Sequence, residues 1–157
     1  MVQNEFTINC LKSQHEVIKI LISGLSEAEL KSRPIPDKWS VHENIAHLAC
    51  YQLRVIARTR NILSEDNPIF DSYIPEEDPE FPGFLSMSVG QLLAHQKEKR
   101  TEIVNLISSL TDVQIRRIGV HPKFGEMTIE EWTEFFLLHE AHHIYTIFKL
   151  IRLLRKK

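Results

Sequence analysis

Two histidines near the C-terminus, His139 and His143, are spaced to bind a single metal ion. They are four residues apart, so on an α-helix they lie one turn apart on the same face. The other members of that helical row are apolar: Ile129, Trp132, Phe136, Ile147, Leu150 and Leu154. Two imidazoles on a core-facing row need polar partners, because a buried unpaired polar group costs about 1–3 kcal/mol. A bound metal would satisfy both rings, and the spacing therefore predicts a metal site.

The same segment admits two other interpretations. Residues 139–143 match the His-Glu-x-x-His pattern of zinc proteases, in which Glu140 would be the general base. Against this, a helix that faces the core at His139 turns Glu140 about 100° away, and no strand pattern is evident to hold a substrate. Alternatively, the histidines are core or interface residues without a metal. The spacing alone leaves both alternatives open.

A third ligand is needed to complete a site with open coordination positions. Five other histidines are available: His15, His42, His47, His95 and His121. Of these, His47 is best placed, because it borders the apolar stripe of the second predicted helix. Metal sites in helix bundles are built from side chains on facing helices, and three nitrogen ligands with an open position are typical of catalytic sites.

The elements that must position these residues are predicted to be four long helices. Periodicity places them at about 5–25, 40–63, 89–110 and 128–155. Capping-box spacings support two of the starts, Ser40 with Glu43 and Thr128 with Glu131, and a third box at Ser26 begins a short turn. Residues 111–118 are predicted to be a helical extension and 119–127 a loop, with no strand. The fold class is therefore all-α, a four-helix bundle.

A long connection, residues 65–87, separates the second and third helices. It contains four prolines and seven acidic residues but no Lys or Arg. It also carries aromatic residues, which predict that it packs on the body of the protein. A connection of this length serves either as a lid or site wall, or as a plain crossover along the bundle. The sequence does not choose between them.

Two motifs together resemble the DinB-like superfamily. These are Trp-Ser-x-x-Glu-x-x-x-His-Leu at residues 39–48 and His-x-x-His-His at 139–143, and the resemblance covers the whole chain in length and helix order. It implies a four-helix bundle, often a homodimer, that binds one divalent metal ion through three histidines. Carried onto this sequence, the ligands are His47, His139 and His143, with His142 as a non-ligand histidine.

The resemblance implies a metal more firmly than a reaction. Similar proteins include thiol-dependent S-transferases that use bacillithiol, mycothiol-dependent isomerases and metal-dependent hydrolases. Three imidazoles suit Zn, Ni, Mn or Fe, and a coordinated thiol is favoured as its nucleophilic thiolate. The leading prediction is thus a metal-dependent thiol S-transferase with a low-molecular-weight thiol cosubstrate; the alternatives are a metal-dependent hydrolase and a non-catalytic metal-binding or stress-response bundle.

Four further residues are predicted to support the site or contact substrate. Glu43 lies one turn before His47 and would hydrogen-bond its free ring nitrogen, although its position also fits the capping box. Tyr51 lies one turn after His47 and would form a wall of the site. Gln96 and Arg100 interrupt the apolar stripe of the third helix, where they would bind an anionic substrate if they point inward.

Composition limits the classes of partner. A chain of 157 residues with a formal net charge of −2 predicts one domain, residues 1–157, and no nucleic-acid partner. No apolar run is long enough for a membrane span. Two cysteines and the absence of a signal-peptide pattern predict a cytoplasmic protein. The expected partners are a small-molecule substrate and a second copy of the chain.

Overall fold

The computed structural model describes residues 5–156, most of which are helical. The helices are α1 (Glu5–Ser13), α2 (Val17–Leu21), α3 (Glu27–Lys31), α4 (Val41–Ser64), α5 (Phe81–Ser86), α6 (Val89–Ser108) and α7 (Ile129–Leu154), with 3-10 turns at Gln14–Glu16 and Pro75–Glu77. Two strands, β1 (Ile118–His121) and β2 (Gly125–Thr128), precede α7. Residues 1–4 and Lys157, which the single-domain prediction includes, lie outside the described residues.

Four helical segments form a bundle, as the sequence predicts: α1 with α2, then α4, α6 and α7. The first segment was predicted to be continuous over 5–25, and this detail is wrong. The 3-10 turn at Gln14–Glu16 interrupts it, and Gln14 Nε2 then donates to the carbonyl of Leu137 at 2.9 Å. The interruption thus ties the first segment to α7.

Capping boxes begin the helices that carry the site. At Ser40 and Thr128 the hydroxyl accepts from the N3 backbone N–H, and the N3 glutamate accepts from the cap residue's N–H. The predicted box at Ser26 is also present, and a box that was not predicted begins α6 at Ser88 with Gln91. A cap of this kind stabilises a helix by about 1 kcal/mol, so these starts are defined locally.

The predictions for residues 111–127 are wrong in type. Residues 112–116 are turns, and 118–128 form an antiparallel hairpin in which Ile118 pairs with Thr128. Each strand is only four residues long, too short for a periodic signal. Gly125 opens β2 with a φ of 76°, a conformation that favours glycine.

Close packing holds the hairpin against the bundle at Gly119. A Cβ at this position would come within 2.7 Å of both Ile62 and Phe70, so only glycine fits without displacement. The carbonyl of Gly119 accepts a hydrogen bond from Trp132 Nε1 at 3.1 Å. The hairpin is thereby fixed between α4 and α7.

The connection between α4 and α6 packs on the body, as predicted. Its backbone bonds to β1, since Phe70 N donates to Val120 O at 3.0 Å and Val120 N donates to Pro68 O at 2.8 Å. Further along, Phe81 and Phe84 are buried in the core. The segment is therefore attached at both ends of the bundle.

The core contains two apolar clusters with polar residues between them. Along α6, Leu92 belongs to one cluster and Ile103 to the other, while Gln96 and Arg100 lie between and are buried. Along α7, Glu140 is fully buried between the two clusters. None of the helices in residues 5–156 has the length and apolarity that a membrane crossing would need.

Candidate metal centre

Three histidines, carried by two helices, come together in the structure. His47 comes from α4, and His139 and His143 lie one turn apart on α7. One nitrogen from each ring can be chosen so that all three lie within 4.8 Å of one another. The Nε2 atoms of His47 and His139 are 3.1 Å apart. Ligands at 2.0–2.1 Å from a shared metal are separated by about 2.9–3.4 Å, so this spacing suits a common cation, although two rings sharing a proton would also adopt it.

All three rings are neutral at physiological pH. Burial lowers the pKa of His47 to about 2, assisted by His143 and His139. Burial likewise lowers the pKa of His139 to about 4 and that of His143 to about 3. A neutral imidazole keeps a lone pair, which is the form that binds a metal.

Asn44 sets the tautomer of His143. Its Nδ2 donates to the carbonyl of Ser40 at 2.8 Å, which turns Oδ1 toward the ring. His143 Nδ1 donates to that oxygen at 2.9 Å, which leaves the lone pair of Nε2 free to bind a metal ion. By contrast, Nδ1 of His47 and Nδ1 of His139 are buried without a hydrogen-bond partner among residues 5–156.

The histidines open into a cavity of about 340 Å³, here called the histidine pocket. Aromatic rings form much of its wall. The ring centroids of Trp39 and His47, for example, are 5.2 Å apart. The lining residues are Trp39, His47, Tyr51, Arg58, Ser72, Tyr73, Pro75, His121, Phe135, His139 and His143. This lining set contains no Asp or Glu.

Tyr51 lies in the pocket wall where the sequence predicts it. Its ring centroid is 4.4 Å from that of His139 and 5.8 Å from that of His47. The hydroxyl accepts a hydrogen bond from Arg58 Nη1 at 3.3 Å. Burial raises the pKa of Tyr51, so its phenol keeps its proton.

The structure does not bring Glu43 to His47. Its carboxylate accepts from the backbone N–H of Ser40 at 2.6 Å and pairs with Arg33. Capping and ion pairing occupy both oxygens, which matches the capping alternative for this residue. The side chain that does hydrogen-bond to one of the three histidines, His143, is its neighbour Asn44.

Gln96 and Arg100 are buried, but they face a different region from the pocket. Arg100 pairs with Glu140, and Gln96 Nε2 donates to the same carboxylate at 3.2 Å. Arg100 Nε also donates to Gln52 Oε1 at 3.1 Å. None of these residues lines the histidine pocket. Because Glu140 is held by Arg100 on that side of α7, the zinc-protease interpretation loses its general base.

Among the residues of the site, the sequence analysis assigned no role to Asn44, Arg58 or His121. Asn44 and Arg58 are three residues before and eleven residues after His47 on α4, spacings that return to the same helical face. Periodicity could therefore have found them. His121 reaches the pocket from the hairpin, and no periodic signal predicted that element. The connection also contributes Ser72, Tyr73 and Pro75, so it is a wall of the site.

The sequence of this chain matches a known protein family and several of its members. The sequence model of the DinB superfamily matches residues 11–147. A protein from Halalkalibacterium halodurans, provisionally named as a metal-dependent hydrolase, is 30% identical over 129 residues, which cover 79% of this chain and 72% of that protein. A provisionally named metal-dependent hydrolase from Oceanobacillus iheyensis is 24% identical over 153 residues, covering 97% and 87% of the two chains.

Two solved structures share the fold. YfiT from Bacillus subtilis, described provisionally as a metal-dependent hydrolase with an unusual four-helix bundle topology, superposes with a TM-score of 0.81 at 23% identity. The alignment covers 94% of this chain and 85% of YfiT. An uncharacterised protein from Clostridium difficile 630 has a TM-score of 0.69 at 15% identity, covering 99% and 97%. At these identities the likeness concerns the fold alone.

Proposed function

This chain belongs to the DinB superfamily, and we propose that it is a metal-dependent enzyme that transfers a low-molecular-weight thiol onto a small electrophile. In this proposal His47, His139 and His143 hold one divalent ion, which is Zn, Ni, Mn or Fe. The observation that carries it is the convergence of three neutral imidazoles on one cavity, with two Nε2 atoms 3.1 Å apart. The donor set fits such an ion, since three nitrogens leave positions open for a substrate.

When bound, a divalent cation with open positions stabilises the anion of a coordinated thiol or water and so supplies a nucleophile near neutral pH. The chain's own residues prepare the cavity for this. Trp39 and Phe135 contribute aromatic surface to its wall, and Asn44 fixes the ring of His143. Tyr51 and Tyr73 keep their phenol protons, because burial raises the pKa of each hydroxyl.

The lining of the pocket favours an external thiol as the nucleophile. A thiol ionises near pH 8.5 without help, whereas water needs far stronger activation. In the part of the chain that the structure describes, no Asp or Glu lines the pocket to act as a general base. The chain's own nearby thiol, Cys50, is buried, and burial raises its pKa to about 11. These features support a thiol that enters with the substrate.

Hydrolysis is the second candidate, and the relatives favour it. Several of them are provisionally named metal-dependent hydrolases, and the same three ligands suit activation of water. A third alternative is a bundle that binds metal without turnover. The transferase and the hydrolase differ in the nucleophile, which is a thiol in one and water in the other, so assays with and without a thiol separate them.

We also propose that the chain forms a homodimer through the outer face of α7. Leu138, Tyr145 and Phe148 follow one another at helical spacing on this helix, and each is exposed. Ala141 and His142 lie between them and are exposed too. An apolar stripe on a surface helix is a common self-association surface. Light scattering during size-exclusion chromatography would measure the mass in solution and so distinguish a dimer from a monomer.

Elemental analysis tests the metal centre directly. We expect about one metal per chain in the wild type, as for a single three-histidine site, and its loss in His47→Ala. The matched control is His142→Ala, because His142 is exposed on α7 beside the ligands and should leave the metal content unchanged. Metal retained in His47→Ala at the wild-type level would contradict the ligand assignment.

Activity assays on the same samples then separate the reactions. The metal-loaded wild type is offered 2-mercaptoethanol with 1-chloro-2,4-dinitrobenzene, and separately 4-nitrophenyl acetate without thiol. Thiol-dependent turnover that disappears in His47→Ala supports the transferase. Ester cleavage without thiol supports the hydrolase, and metal binding with neither reaction supports the non-catalytic alternative.

A further inference from the structure

A buried arginine lies in the wall of the histidine pocket. Arg58, on α4, is only 8% exposed. Its Nη1 donates to the hydroxyl of Tyr51 at 3.3 Å, and its Nη2 donates to the carbonyl of Asp71 at 2.9 Å. Within residues 5–156 it makes no ion pair with a carboxylate. Arginines are rarely buried unless they are paired, so this cation is unusual.

Arg100 shows the ordinary arrangement on the same protein. It is buried to a similar extent, and its guanidinium pairs with the carboxylate of Glu140. Arg58 instead packs between the rings of Phe70 and Trp132, at 5.4 and 5.1 Å. Its two hydrogen bonds go to neutral oxygens and use two of the five N–H donors of the guanidinium. The other three donors make no hydrogen bond within residues 5–156. Arg58 lines the histidine pocket, and it also borders a neighbouring cavity whose lining includes Asp71, Glu77 and Asp78.

The groups beside Arg58 are also hydrogen-bond donors. His121 Nδ1 accepts from the backbone N–H groups of Lys123 and Phe124, at 3.0 and 3.1 Å. The neutral ring of His121 therefore carries its proton on Nε2. Ser72 lines the same cavity, and among residues 5–156 no Asp or Glu does. A wall with a cation, donors and no acidic group is complementary to an anion.

We propose that the substrate of the histidine pocket is a small molecule carrying a carboxylate, which Arg58 binds while the reacting atom faces His47, His139 and His143. The position of the reacting atom rests on the proposed metal function. The carboxylate subsite does not, because none of Arg58, Ser72 and His121 is a proposed metal ligand. Its existence can therefore be measured in metal-free protein.

The test compares a charged ligand with its neutral isostere. Benzoate and benzamide have nearly the same shape, suit the aromatic walls, and are small relative to a cavity of about 340 Å³. Each is titrated into ¹⁵N-labelled, metal-free protein at neutral pH and constant ionic strength, following the backbone amides of the pocket residues. We expect benzoate to bind about 10-fold or more tightly, as a charge-assisted bidentate contact allows.

Variants assign the preference to Arg58. Arg58→Met keeps the apolar stem between Phe70 and Trp132 and should reduce the preference to within about 2-fold, since the charged contact is gone. Arg58→Lys keeps the positive charge and should retain part of it. Arg60→Met is the matched control, because Arg60 is on the same helix, is 63% exposed and pairs with Glu102; its preference should equal that of the wild type.

Three results would overturn the proposal: equal affinities of the wild type for benzoate and benzamide, no binding of benzoate to the wild type, or a preference for benzoate that survives in folded Arg58→Met. Metal content distinguishes this failure from failure of the metal centre. Arg58→Met should load as much metal as the wild type. His139→Ala should lose the metal and still prefer benzoate to benzamide.

Discussion

His139 and Glu140 are neighbours on α7, yet they face two polar regions of opposite character. Glu140 is in a closed region that contains Arg100, Gln96 and Gln52, here called the ion cluster, in which its carboxylate accepts from Arg100, Gln96 and Gln14. His139 faces the open histidine pocket, where its Nδ1 and that of His47 have no hydrogen-bond partner among residues 5–156. The two regions share a helix. Within residues 5–156 the ion cluster leaves one of its buried polar atoms, Gln96 Oε1, without a hydrogen-bond partner but contains the Arg100–Glu140 ion pair, whereas the histidine pocket leaves two ring nitrogens unpaired and contains no ion pair.

The difference indicates a division of roles. The ion cluster joins α1, α4, α6 and α7, since Arg100 also donates to the carbonyl of Leu11 on α1 at 3.1 Å. It therefore fixes the helices that carry the histidines relative to one another. We expect the histidine pocket to contribute less to folding, because its two unpaired ring nitrogens are a cost that a functional site tolerates. Substitutions in the ion cluster should mainly lower the free energy of unfolding. Substitutions in the histidine pocket should mainly weaken metal binding.

Glu140→Ala should have the largest effect on stability. It leaves the Arg100 guanidinium buried without its carboxylate, and breaking a buried pair in this way costs about 3–5 kcal/mol. Urea denaturation measures the loss in the free energy of unfolding. Glu134→Ala, at an exposed position on the same helix, is the control and should stay within about 0.5 kcal/mol of the wild type. A loss in Glu140→Ala no larger than in this control would contradict a structural role for the ion cluster.

Gln52→Leu should have an intermediate effect. The substitution removes the oxygen that accepts from Arg100 Nε, and a buried donor left without a partner costs about 1–3 kcal/mol. The same denaturation experiment checks it. Gln52 and Arg100 belong to one hydrogen-bond network. The double variant Gln52→Leu with Arg100→Met should therefore lose less stability than the sum of the losses in the two single variants. Strict additivity would show that the contact contributes nothing.

The bundle could be predicted because its signals are local and periodic. The caps at Ser40 and Thr128 and the apolar rows of α4, α6 and α7 each depend on residues within a few turns. The hairpin lacked such a signal. Its strands are held by contacts distant in sequence, such as the approach of Gly119 to Ile62. The break in the first helix likewise depends on Gln14 reaching α7, which no local pattern shows.

For the site, too, the residues with a local signal could be predicted and those positioned by distant contacts could not. His47, His139 and His143 were recognised from spacing and from the family motif, and the structure brings their rings together. The neighbours were harder, because charge alone does not say which cation faces the pocket. Arg100 and Arg58 are both buried arginines on bundle helices, and only the tertiary position of Glu140 shows that Arg100 is already paired.

Asn44→Ala should weaken metal binding more than it changes the fold. Without the oxygen that accepts from His143 Nδ1, the ring loses its orientation, and losses of such supporting contacts reduce metal affinity by about 10- to 100-fold. Competition with a chelating dye measures the affinity. Glu43→Ala is the adjacent control: it should cost about 1 kcal/mol of stability through the lost cap but leave the affinity unchanged. The reverse outcome would return the supporting role to Glu43.

His139→Ala should have the smallest effect on the stability of the metal-free protein. The ring is partly exposed and its Nδ1 is unpaired, so we expect the free energy of unfolding to change by no more than about 1 kcal/mol. Added metal should then separate the proteins, because a ligand at 100 times its Kd stabilises the folded wild type by about 2.7 kcal/mol and cannot do so without its site. His142→Ala should respond to metal as the wild type does. If His139→Ala instead lost several kcal/mol without metal, the histidine pocket would be part of the structural core, and the contrast with the ion cluster would disappear.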